Sequence, residues 1–93
     1  MTYSLDFLPS ARKEWDKPGS SIRQQLIKKL RERLDRPRIP SAALHATPDH
    51  YKFKLGQAGY RLVYRVDDAT IVVLVIAVGK REGGQVYEIA KRR

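Results

Sequence analysis

Tyr51-Lys52-Phe53-Lys54-Leu55, Gly56-Gln57-Ala58-Gly59 and Tyr60-Arg61-Leu62-Val63-Tyr64-Arg65-Val66 follow one another in the chain, and the fold is read outward from them. Apolar and basic residues alternate with a period of two on both arms. The glycines between the arms let the backbone reverse, so the stretch predicts two antiparallel strands. One face of the hairpin then belongs to the core and the other is cationic. With Gly56 to Gly59 as the loop, Leu55 lies opposite Tyr60 and Lys54 opposite Arg61, with Lys52 two residues along the same face. Like charges directly opposed across a ladder destabilise it by roughly 0.2–1 kcal/mol. No acidic residue lies between Tyr51 and Val66 to relieve that repulsion. The counter-charge is therefore expected from outside, and phosphate is the obvious anion to supply it.

Downstream, Asp67-Asp68-Ala69 reads as a turn and Thr70 to Val78 as an unbroken, largely β-branched run. Such a run suits a central strand covered on both faces. Gly79-Lys80-Arg81 leaves its end, Gly83-Gly84 loosens the chain, and Val86 to Lys91 suits a short final helix. Whether Arg81 shares a face with Lys54 and Arg61 depends on the turn at Asp67 to Ala69. A one-residue difference there reverses the face.

Upstream, Tyr3, Leu5 and Phe7 alternate with Thr2, Ser4 and Asp6, which predicts a short first strand. Pro9 and Ser10 suit the opening of a helix over Ala11 to Lys17 that lodges Trp15 against the core, and Pro18-Gly19 stops it. A longer helix begins at Ser20 or Ser21, where Ser21 and Gln24 have capping-box spacing. Ile22, Leu26, Leu30 and Leu34 form its core stripe, while Arg23, Lys28, Lys29, Arg31, Glu32 and Arg33 cover the rest. That basic face is either solvated or turned to nucleic acid. Pro37 and Pro40 end the helix, and Arg38 to His50 reads as a loop anchored by Leu44. The element order β, α, α, three strands and a short helix predicts a single α+β domain over residues 1–93, with a mainly antiparallel sheet packed against the two N-terminal helices.

Composition narrows the function. The chain has 93 residues and a formal net charge of +9, with a pI near 10.2. One core is all that this length supports. The charge makes nucleic acid the leading partner, with an anionic membrane surface or an acidic protein as competitors. There is no cysteine and there are two histidines, His45 and His50. Disulfides, a thiol nucleophile and a thiolate metal site are excluded, and zinc has too few ligands. No secretory signal is read at Met1 to Asp6. The longest apolar run, Ile71 to Val78, is far short of the ~20 residues that span a bilayer. A soluble cytoplasmic protein without a membrane partner is expected.

Lys52, Lys54, Arg61, Arg81 and Tyr87 form the candidate catalytic constellation. Fixed cations stabilise the charge that develops on a phosphodiester in its transition state. In RNA the 2′-hydroxyl is an internal nucleophile, so cleavage needs only a base, stabilisation of a phosphorane-like transition state and a proton for the leaving 5′-oxygen. Lys54, crowded by Lys52 and Arg61, is the expected proton acceptor. Arg61 would hold phosphate oxygens and Arg81 the leaving oxygen. Tyr87 could stack on a base, take part in proton transfer, or simply pack in the core.

The combination of Gly59-Tyr60-Arg61-Leu62-Val63-Tyr64, Val78-Gly79-Lys80-Arg81-Glu82 and Val86-Tyr87 resembles the RelE family of bacterial and archaeal toxin-antitoxin systems. The resemblance runs through Tyr3 to Phe7, Lys13-Glu14-Trp15, Lys28-Lys29-Leu30, Pro37-Arg38-Ile39, Pro48-Asp49 and Tyr51 to Leu55, so it covers nearly the whole chain. It implies a RelE/ParE-like, microbial-RNase-like fold and a ribosome-dependent mRNA endonuclease. Such an enzyme cuts the codon in the vacant A site without a metal or other cofactor, leaving a 2′,3′-cyclic phosphate and a 5′-hydroxyl. The family's catalytic set is carried over at Lys52, Lys54, Arg61, Arg81 and Tyr87. Lys28, Lys29, His45, Arg65 and Lys80 are the implied contacts to RNA and to the 16S rRNA of the 70S ribosome. A RelB-like antitoxin is the implied protein partner, wrapping the toxin and displacing the helix that bears Tyr87. Operator DNA would be met only through that complex.

Two positions depart from the family. His45 stands where relatives often carry arginine or lysine, which would make a contact from that loop sensitive to pH. Gly83-Gly84 replaces bulkier, more polar residues and would loosen the placement of Tyr87. The competing readings are a ParE-type toxin that poisons DNA gyrase and a basic nucleic-acid-binding module that makes no cut.

Overall fold

A computed structural model describes residues 2–44, 47–56, 59–80 and 85–93. The strands are β1 (Ser4–Phe7), β2 (His50–Leu55), β3 (Tyr60–Asp67) and β4 (Val72–Lys80), and the helices are α1 (Pro9–Trp15), α2 (Ser20–Asp35) and α3 (Gln85–Arg92). The sheet order is β1-β4-β3-β2. The β2/β3 and β3/β4 pairs are antiparallel and the β1/β4 pair is parallel, so the expected mainly antiparallel sheet is found.

The hairpin register is as read from the sequence: Leu55 pairs with Tyr60, Lys54 with Arg61 and Lys52 with Val63. Gly59 closes the loop with φ +70, donating its N–H to the carbonyl of Leu55 at 2.8 Å. That left-handed conformation is one that glycine adopts without steric cost.

Two cores lie on opposite faces of the sheet. On one, α1 and α2 bury Ala11, Trp15, Leu26 and Leu30 against Phe53, Leu62, Tyr64, Val66, Val73, Val75 and Val78. Trp15 meets Phe7 edge-on at 5.1 Å, as its expected core role requires. On the other, α3 buries Val86 and Ala90 against Val63, Ile76 and Ala77. The second face is therefore cationic only toward β2. A β-bulge creates this division: Val63 pairs with Ala77 but Tyr64 with Val75, which leaves Ile76 as an extra residue on β4. Ile76 and Ala77 consequently point to the same side, beneath α3.

Several local expectations are corrected. β4 begins at Val72, not Thr70, because the turn extends to Ile71, whose φ of +56 is strained for a β-branched residue. The amides of Ala69 and Thr70 bind the Asp67 carboxylate in that turn. The Ser21/Gln24 capping box does not form, since Gly19 is the N-cap of α2 and Ser21 already lies inside the helix. In α1, Leu8 is the N-cap, Pro9 holds the first helical position and Ser10 makes no cap; the helix ends at Trp15. The expected loop contains a 3₁₀ turn, Pro40–Ala42, and Ala43 bridges Tyr51 at the outer edge of β2. Arg33 turns inward instead of joining the outer face of α2. Its guanidinium donates to the Tyr64 hydroxyl at 2.9 Å and the Lys52 carbonyl at 3.5 Å, and lies over the Phe53 ring.

Side chains protect the β4 edge where β1 ends. The Glu14 carboxylate accepts the Val78 N–H at 3.2 Å, and Arg93 binds both Glu14 and the Ile76 carbonyl at 2.8 Å. The pair is only about one-fifth exposed. Glu14→Ala would strand two donors there, and we expect a loss of about 1–2 kcal/mol in urea unfolding. An unchanged midpoint and slope would refute this clamp.

At the opposite end of the sheet, Arg38 donates to Asp49 and Asp68, both at 2.8 Å, and the Tyr3 hydroxyl donates to Asp68. The Tyr3 hydrogen bond, and then that from Arg38, hold the Asp68 carboxyl below its ordinary value. A depressed folded-state value contributes stability above the unfolded-state pKa, near ~3.9, that is lost as the pH falls through the lower folded one. The Tm advantage of the wild type over Asp68→Asn should thus be steady at neutral pH and shrink below about pH 4. A gap that persists to about pH 2 would contradict this.

Candidate active site

Alternation along β2 and β3 places His50, Lys52, Lys54, Arg61 and Arg65 on the face that carries α3. Register continues that face to Gly79 on β4, opposite Arg61, while Lys80 pairs with Tyr60 and so belongs to the other face. The predicted Lys80 contact therefore lies apart from the basic strand face. His50 was read as a loop histidine, but it opens β2 on the basic face, with Nδ1 2.7 Å from the Pro48 carbonyl. The His50-Lys52-Lys54 alternation is the signal that could have found it. Leu44 packs on the same side against the smaller core, in its expected anchoring role.

Tyr87 comes down from α3 onto this floor. Arg61 donates from Nη1 to the Tyr87 hydroxyl at 2.8 Å, and its guanidinium carbon lies 5.5 Å from the ring centroid. Lys52 Nζ stands 5.1 Å from the same centroid. Two cations against one ring make Tyr87 part of the site as well as a neighbour of the core. The half-buried Arg61 has an Nε with no hydrogen-bond partner among the described residues. Lys54 is exposed at the rim of a shallow depression of ≈ 150 Å³, which also involves Gly56, Gly59, Tyr60 and Arg61.

Among the described residues, no ion pair involves Lys52, Lys54, Arg61 or Arg65. Among the described residues, the positive charge expected from the sequence thus stays unpaired on this face. Lys28 and Lys29 are exposed on α2 beside Gln25, Glu32 and Leu55, along a second groove of ≈ 260 Å³. Arg81, His45, Gly83 and Gly84 lie outside the described residues. The structure thus brings together Lys52, Arg61 and Tyr87, with Lys54 directly across the ladder from Arg61. Among the described residues, no three His, Asp or Glu side chains gather into a group that could hold a metal ion. No described helix is long and apolar enough to cross a membrane.

The model of the family described as ParE toxin of type II toxin-antitoxin system, parDE, matches residues 5–83, and the chain belongs to this RelE/ParE family of type II toxins. Within it the similarity is to RelE. The chain is 55% identical over 93 residues to the mRNA interferase toxin RelE of Escherichia coli (strain K12), covering 100% of this chain and 98% of that one. The mRNA interferase RelE of Shigella flexneri matches to the same extent. A double arginine-to-alanine variant of E. coli RelE in the free state superposes with a TM-score of 0.92 at 54% identity, covering 100% of this chain and 98% of that one. The same variant in complex with a peptide of the antitoxin RelB gives 0.85 at 54% identity, with coverage of 97% and 95%.

Proposed function

We propose that this chain is the toxin of a type II toxin-antitoxin system and acts as a ribosome-dependent mRNA endonuclease. The single observation that carries the reading is the basic floor of Lys52, Lys54 and Arg61 beneath Tyr87, which lacks an ion-pair partner among the described residues. An RNA phosphate in the cleft supplies the missing counter-charge. One of the two lysines takes the proton of the 2′-hydroxyl, whose oxygen attacks the adjacent phosphorus as the bond to the 5′-oxygen breaks. Arg61 binds the non-bridging oxygens and stabilises the charge that accumulates on them. Arg81 stabilises the charge on the departing 5′-oxygen, which takes up a proton from water, and the products are a 2′,3′-cyclic phosphate and a 5′-hydroxyl. Held by Arg61 and flanked by Lys52, the Tyr87 ring positions the nucleotide by stacking.

Arg65 extends the basic face toward ribosomal RNA, Lys28 and Lys29 on α2 and Lys80 supply further contacts away from that face, and His45 supplies another. The site of action is the ribosomal A site, where mRNA and 16S rRNA meet the toxin. A RelB-like antitoxin neutralises it, in keeping with the RelB complex of the similar E. coli toxin. The operator is met only through that complex, and the setting is the cytoplasm.

Primer extension on an mRNA translated in a purified system, beside the same mRNA without ribosomes, tests the reading. Cuts that need ribosomes and keep the reading frame are the expected result. Cuts in free mRNA would indicate an ordinary RNase; intact mRNA with inhibited supercoiling would indicate a gyrase poison.

A further inference from the structure

Gly79 lies on the floor of the site, across the ladder from Arg61, and faces Val86 of α3. A Cβ at this position would stand 2.9 Å from Cγ2 of Val86. Carbon atoms pack best at about 3.5–4.0 Å, so a methyl group there requires a displacement of roughly 0.5–1 Å. The φ of Gly79 is not in the left-handed region, unlike that of Gly59, so backbone conformation does not call for glycine. Gly19 and Gly56, by contrast, face open space.

Val86 cannot readily yield. It is 4% exposed, packed with Val63, Ile76, Ala77 and Ala90, and its branched side chain has one strongly preferred rotamer in a helix. The strain would pass to α3 as a whole, and Tyr87 is the next residue. Its 2.8 Å contact with Arg61 would lengthen past hydrogen-bonding distance after a shift of that size.

We propose that Gly79 is a positioning residue: by lacking a Cβ it lets Val86 seat on β4, which brings the Tyr87 ring onto Arg61 and Lys52. The inference rests on the reading of Tyr87 as part of an RNA-cleaving site. Val86→Ala removes the atom that the new methyl would strike, so it should compensate for Gly79→Ala.

The test compares the wild type, Gly79→Ala, Val86→Ala and the double variant. In single-turnover cleavage of ribosome-bound mRNA, Gly79→Ala should be slower by roughly 100-fold, the scale of a 1 Å misplacement. The ribosome concentration for half-maximal rate should change by less than about threefold, since the loss is in chemistry and not in binding. Adding Val86→Ala should restore about tenfold, a coupling typical of residues in contact. A second readout needs no activity: the Lys52 ε-methylene and Arg61 δ-methylene NMR signals carry ring-current shifts from Tyr87. These should collapse in Gly79→Ala and return in the double variant.

Full-rate cleavage by Gly79→Ala, a slow Gly79→Ala with unmoved ring-current shifts, or a double variant no better than the product of the single effects would each overturn the proposal. If Gly79→Ala does not fold, the double variant measured against Val86→Ala decides: a rate within about tenfold with unchanged ring-current shifts supports the steric account, and a larger deficit or collapsed shifts reject it. If the wild type cuts no mRNA, the endonuclease reading fails by itself, and the NMR comparison still judges whether Gly79 sets the position of Tyr87.

Discussion

Lys54→Ala is expected to lower cleavage of ribosome-bound mRNA by about 10²–10⁴-fold, the usual contribution of a positioned acid or base. The same change should raise stability slightly. Lys54 is exposed and sits directly opposite Arg61, so its removal relieves like-charge repulsion of roughly 0.2–1 kcal/mol and leaves no buried group without a partner. Opposite signs for activity and stability mark a residue retained for chemistry. A structural lysine would lose both together. Arg61→Lys should also be slow while keeping the charge, because a single ammonium cannot both hold the Tyr87 hydroxyl and offer a planar fork to phosphate. Single-turnover kinetics beside urea unfolding would decide the matter; wild-type rates in Lys54→Ala would remove it from the catalytic set.

The largest stability effect is expected at Tyr64. Its ring is fully buried between Phe53 and Tyr51, and its hydroxyl donates to the Pro37 carbonyl at 2.7 Å while accepting from Arg33 at 2.9 Å. Tyr64→Phe keeps the ring and leaves a carbonyl and a guanidinium without this partner, for about 1–3 kcal/mol. Tyr64→Ala adds a cavity and should cost about 3–5 kcal/mol in all. Burial raises the phenol above its ordinary value, in keeping with a hydroxyl that stays protonated and donates. Urea unfolding of both variants separates the two contributions. If Tyr64→Phe matched the wild type, the Arg33-Tyr64-Pro37 chain would be incidental to stability.

Much of the fold was legible because its signals are local. Alternation in Tyr51 to Val66 was enough to predict both strands, their register and the sidedness of Lys52, Lys54 and Arg61. Trp15 was legible as a core residue because a large aromatic on a short helix has few other places to go. The inward turn of Arg33 was hidden by its charge. Only the neighbouring sheet, with the Tyr64 hydroxyl, the Lys52 carbonyl and the Phe53 ring within reach, gives a half-buried guanidinium its partners. The helix caps were misread for a related reason: capping needs an extended residue at one exact place, and although α2 begins at Ser20 as expected, that residue is Gly19, which has no side chain to cap with.

A basic strand face without nearby counter-charge, the hairpin that carries it and the helices that cover its back were readable from the order of residues alone. These follow from side-chain periodicity and from unlike residues kept on separate faces. The tertiary structure alone decided which residue of β4 meets Arg61. With the pairing of Arg65 and Leu74 carried on unbroken, Val78 would stand there; the bulge at Ile76 puts Gly79 in its place. A single extra residue inverts every side chain beyond it, and no local pattern records it, because its stability depends on Val63 and α3 receiving Ile76 and Ala77 together. That inversion leaves a glycine beneath Val86 and allows Tyr87 to reach Arg61.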